Sequence, residues 1–88
     1  MPYIKSEKRP IYKDEIESLV KKLESQPLTE QDGDLNYIVT SIMKRLYTPK
    51  HFNYNRTTGV LEAIKQEYYR RVVTPYEDEK IKENGDDL

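Results

Sequence analysis

The stretch DLNYIVTSIMKRLY, residues 34–47, decides the fold class. Leu35, Ile38, Val39, Ile42, Met43, Leu46 and Tyr47 recur at intervals of three and four, which on a helix makes one apolar stripe covering almost half the circumference. A face that broad touches two partners. Asp34 is the expected N-cap, and Pro49 ends the helix because Thr48 before it is biased away from helical angles.

Working toward the N-terminus, Ile16, Leu19, Val20 and Leu23 give a single stripe on a helix over about residues 11–25, with Pro10 suited to its first turn. Asp14, Glu15 and Glu17 come early and Lys21 and Lys22 late, the order the helix dipole favours. Pro27 stops this helix, and QPLTEQDG, residues 26–33, reads as a loop.

Toward the C-terminus, TPKHFNYN (48–55) reads as an irregular connection holding His51, Phe52 and Tyr54. A third helix follows over about 55–73, with Val60, Leu61, Ile64, Tyr68 and Val72 at helical spacing. Gly59 weakens it by roughly 1 kcal/mol relative to Ala and suggests a close helix approach. Thr74-Pro75-Tyr76-Glu77 has the form of a capping box, which predicts a separate short helix over 75–83, closed by Asn84-Gly85. That helix has only Tyr76 and Ile81 to bury and cannot stand alone in water. No stretch alternates with period two. The expectation is an all-α fold in one domain over residues 1–88: a small three-helix bundle plus a short C-terminal helix, completed as an oligomer.

Composition narrows the function. Leu, Ile, Val and Phe make up 20 of 88 residues, 35% of the chain is charged, and mean hydropathy is -0.96, so the core is thin and self-association would help. The absence of cysteine excludes disulfides, thiolate metal sites and cysteine nucleophiles, and His51 is the single histidine. No poised base or metal cluster is legible, so no enzyme, cofactor or metal is expected. No apolar run reaches the roughly 18 residues of a membrane span, and MPYIKSEKRP lacks a signal-peptide hydrophobic region. A cytoplasmic location is the expectation.

The formal net charge of -1 hides an asymmetry: residues 1–34 sum to -2, residues 35–74 to +5 and residues 75–88 to -4. A basic centre between acidic ends suits either an anionic ligand or neutralisation by the acidic terminus of the same or a neighbouring subunit. A pI near 5.8 and three scattered glycines disfavour nucleic acid and exclude a phosphate-cradling loop.

Four strings, MPYIK, GDLNYI, GVLEAIKQEYYRRV and PYEDEKIKENGD, together resemble a family of short proteins of bacteria and their phages, about 90 residues long. The resemblance implies a cytoplasmic, often viral setting, in which small proteins that interfere with host defence are a natural class. It names no catalytic residue.

Two surfaces are candidates for binding. In the Tyr68–Arg71 cluster, Tyr69 can stack on a base while Arg70 and Arg71 grip phosphate; alternatively the arginines clamp Glu62, Glu67 or the terminal carboxylates. Along the second helix, Asn36, Thr40 and Lys44 fall at i, i+4 and i+8, with Tyr37 and Ser41 beside them, a row that could line a cleft or be a wetted helix face. The predicted ligand residues are Asn36, Tyr37, Lys44, Tyr69, Arg70, Arg71 and Tyr76. Eight tyrosines with one phenylalanine and no tryptophan fit interfaces and ligand sites. The first functional expectation is a non-enzymatic oligomer sequestering a small anionic nucleotide-type signal, such as a cyclic nucleotide or an ADP-ribose derivative, to counter host defence. The alternative is a protein interaction module docking through a tyrosine-rich surface and acidic tail.

Overall fold

The computed structural model describes residues 4–48 and 50–85, apart from the side chains of His51 and Phe52. The initial MPY, Pro49 and the Asp86/Asp87 pair lie outside the described residues. Among those described, every regular element is helical: α1 (Pro10–Glu24), α2 (Leu28–Leu46), α3 (His51–Tyr68), a π segment (Tyr69–Val73) and α4 (Thr74–Asn84). The chain divides into two units, Met1–Thr48 and Pro49–Leu88.

In the first unit α1 packs against α2. Pro10 opens α1 at a position where a missing N–H costs nothing, and Lys21 and Lys22 close it against the helix dipole. Arg9 holds the segment before α1 by donating from Nε and Nη2 to the Ile4 carbonyl at 3.3 and 3.2 Å. The turn between the helices is tight. The Ser25 hydroxyl donates to the Lys22 carbonyl at 2.6 Å, and Gln31 Nε2 reaches back to the Gln26 carbonyl at 3.1 Å.

Here the structure corrects the predicted loop. α2 begins at Leu28, so TEQDGD is helical and Asp34 lies inside the helix instead of capping it. Pro27, with φ -58° and ψ 142°, is the N-cap, and its carbonyl accepts the Glu30 N–H at 2.9 Å. A residue that stops one helix sets the entry angle of the next. The C-terminal end is as predicted: Tyr47 turns extended (φ -112°, ψ 110°).

The second unit contains one uninterrupted helical run from His51 to Asn84. It starts earlier than predicted, because Lys50 is extended and its carbonyl accepts the N–H groups of Asn53 and Tyr54, each at 3.0 Å. HFNYN is therefore the first turn of α3 and not an irregular connection. The separate terminal helix is a second correction. Thr74 has φ -59° and ψ -49° and makes no side-chain cap; α4 continues directly from the π segment.

Pro75 explains the π segment. A proline inside an α-helix has no N–H to donate and its ring collides with the carbonyl four residues back. Widening one turn relieves both: the Thr74 N–H bonds to the Tyr69 carbonyl, five residues back instead of four. At the far end Gly85 takes φ +83°, an angle that suits glycine, and its N–H bonds to the Ile81 carbonyl at 2.8 Å, matching the predicted Asn84-Gly85 stop.

No apolar side chain is buried among the described residues, and the one buried residue among them is Asn53 at 8% exposure. Leu23, Ile38, Val39 and Met43 are half-buried, whereas Leu35, Ile42 and Leu46 on α2 and Ile16 and Val20 on α1 stay exposed. Two helices cover only part of a stripe that broad. Among the described residues of the second unit, the continuous helix meets no other regular element of that unit against which to bury its stripe.

Candidate functional site

The predicted residues of α2 do come together. Asn36, Tyr37, Thr40, Ser41 and Lys44 line an open depression of about 660 Å³, with Asp32 and Gly33 at its N-terminal end. The Thr40 hydroxyl donates to Asn36 Oδ1 at 3.3 Å, so the row is ordered along the helix by its own side chains. Asp32 and Gly33 escape sequence reasoning because QPLTEQDG reads as a loop. Tyr37 also borders the groove between α1 and α2, framed by Leu19, Leu23 and Ile38.

The predicted ligand residues of the second unit have chemistry that is already engaged. Glu67 accepts Arg70 Nη2 at 3.0 Å, and Arg71 Nε approaches the same carboxylate at 3.3 Å. The spacings are i,i+3 and i,i+4, which the helix supplies without tertiary help. Arg70 and Arg71 are therefore clamped by Glu67, one of the two arrangements the sequence allows. The Tyr69 hydroxyl donates to Glu77 at 3.1 Å, and that bond, together with the carboxylate's charge, raises the phenol pKa above its ordinary 10.0. Lys80 Nζ lies 5.6 Å from the centre of the Tyr76 ring, within cation–π range.

The Tyr69–Glu77 bond depends on the π segment. Residues i and i+8 of an unbroken α-helix diverge by about 80°, whereas removing one residue from the count reduces this to about 20°. The widened turn acts as that removal and aligns the two side chains.

A family model described as "Domain of unknown function (DUF6899)" matches residues 1–86. The chain belongs to that family. The DUF6899 match runs through both units and across the π segment, and it carries no activity with it. No curated protein and no solved structure matches the chain. Among the described residues of this DUF6899 chain, no three His, Cys, Asp or Glu side chains gather where they could hold a metal ion, and no helix is long and apolar enough to cross a membrane.

The expectation that Gly59 admits a neighbouring helix is not met. A Cβ there meets nothing within 4 Å among the described residues, so none of them packs closely against it.

Proposed function

We propose that this DUF6899 chain is a non-enzymatic protein interaction module of the cytoplasm, whose helices complete their apolar faces against a protein partner. The observation that carries this reading is the absence of any buried apolar side chain among the described residues. Leu35, Ile42 and Leu46 recur along one exposed side of α2 at helical spacing, the pattern of a docking face. The engagement of Arg70 and Arg71 with Glu67, and of Tyr69 with Glu77, favours this over phosphate capture at the second unit.

Amide hydrogen exchange across a dilution series tests it. The reading expects protection in α1 and α2 to grow as the chain associates. Protection of roughly 10⁴-fold or more in a solution holding only the 10.5 kDa species overturns it, because one copy would then possess its own core.

The open depression on α2 supports a second reading, in which Asn36, Tyr37 and Lys44 hold a small anionic nucleotide, in keeping with an anti-defence role in phage. Titration with a nucleotide panel should then stabilise the chain by about 2.7 kcal/mol at a hundredfold excess over the dissociation constant, and Lys44→Ala should remove the effect.

A further inference from the structure

We infer that the partner of the second unit is another copy of this chain, paired antiparallel along the His51–Asn84 helix through a seam that the π segment keeps in phase. This rests on the docking reading above and specifies its occupant. Leu61, Ile64, Tyr68, Val72 and Tyr76 are all exposed, Tyr68 and Tyr76 by 61% and 63%. Their sequence spacings are three, four, four and four. Such a run drifts off a coiled-coil seam, which needs threes and fours in alternation to average 3.5.

The π segment begins directly after Tyr68 and takes up one extra residue before Val72. Discounting that residue, the spacings become three, four, three and four. Without it Tyr76 would stand about 160° from Val60; with it the angle is about 60°, on the same side as Ile64 and Tyr68. The Tyr69–Glu77 hydrogen bond independently reports the same rotation, since those residues align only if one residue is discounted. Thr57 and Tyr54 extend the alternation by one further heptad toward the N-terminus.

Charge selects the occupant and its direction. Residues 50–59, at the start of the helix, hold Lys50 and Arg56 and no Asp or Glu, while residues 74–85 hold four Asp/Glu against two Lys. A parallel copy sets like against like at both ends. An antiparallel copy brings each acidic end beside a basic start, and the two-fold symmetry satisfies both contacts at once. In the register that centres the seam, Ile64 meets Tyr68 of the second copy, Leu61 meets Val72 and Thr57 meets Tyr76. Each layer then pairs a larger side chain with a smaller one. A glycine at position 59 falls on the outer side of this seam, in accord with the open space around it.

The chain has no cysteine, so one introduced thiol labels it cleanly. Asp78→Cys, off the seam, carries a nitroxide for pulsed dipolar spectroscopy at about 100 µM chain, well above a micromolar dissociation constant. Antiparallel pairing separates the two labelled positions by about 22 helical residues, roughly 33 Å along the axis. A distance near this value, lost in Asp78→Cys/Ile64→Glu, supports the inference. A distance below about 20 Å means parallel pairing and overturns it, as does a 10.5 kDa species with no dipolar coupling. A distance unaffected by Ile64→Glu places the contact off the seam and also overturns it. Should Ile64→Glu fail to fold, Leu61→Gln serves in its place with the same expected loss. A purely monomeric result refutes the pairing on its own, whereas the docking reading stands or falls on the exchange behaviour of α1 and α2.

Discussion

The Tyr69 hydroxyl and the Glu77 carboxylate, eight residues apart on one helical run, meet at 3.1 Å across the π segment. The proton in that bond belongs to the phenol, so the folded chain holds it more tightly than the unfolded chain does. A raised pKa stabilises the fold in full below the unfolded value, near 10, and the contribution disappears as pH climbs through the folded value. Spectrophotometric titration of tyrosinate should therefore show one phenol titrating late, and Tyr69→Phe should abolish that late component. A late component that survives in Tyr69→Phe contradicts the assignment.

Pro75→Ala restores an N–H that can bond to the Arg71 carbonyl, so the widened turn should close to ordinary α-helix. Every side chain beyond it then rotates by about 100°. Helix content should hold or rise, the Tyr69 phenol should return toward its ordinary pKa, and self-association should weaken roughly tenfold, equivalent to about 1.4 kcal/mol. Circular dichroism, phenol titration and sedimentation equilibrium read the three effects. Unchanged titration and association would show that the π segment does not depend on Pro75.

Gly33 and Gly59 sit inside helices, and a Cβ at either meets nothing within 4 Å among the described residues. Each change to Ala should stabilise the chain by about 0.5–1 kcal/mol, because alanine loses less backbone freedom on helix formation. Urea unfolding measures this. Destabilisation at Gly59 would mean that a neighbour does pass close to that position in the assembled state.

Arg70 and Arg71 share Glu67 on an exposed helix surface, where ion pairs contribute little. Arg70→Ala should cost less than about 1 kcal/mol by the same measurement. A loss of several kcal/mol would show that the guanidinium is a buried clamp in the assembled protein.

Much of the helical content is legible in the sequence because apolar spacing is a direct consequence of 3.6 residues per turn. The stripes of α1 and α2, the first-turn role of Pro10 and the Asn84-Gly85 stop are all present as expected. Prolines are the source of error, since each has two meanings. Pro27 reads as an end and is also a beginning, which hides the first turn of α2 and with it Asp32 and Gly33 of the depression. Pro75 reads as a helix start after a Thr74 cap, when a widened turn with the Thr74 N–H bonded to the Tyr69 carbonyl lets the helix run through. No local pattern distinguishes these alternatives, because the choice rests on whether the helix before the proline has enough reason to continue. For the site, the Asn36/Thr40/Lys44 row is visible from spacing alone. The arginine cluster is ambiguous for the reason the structure makes plain: Glu67 lies one turn earlier, in reach of both.

No apolar side chain is buried among the described residues of one copy and, on the reading proposed above, the chain acquires its core by association. Sedimentation equilibrium combined with thermal unfolding at several concentrations tests this most directly. The expected result is a mass that is a multiple of 10.5 kDa and a melting midpoint that rises with concentration. A 10.5 kDa species that unfolds cooperatively at the same temperature throughout the series would contradict it.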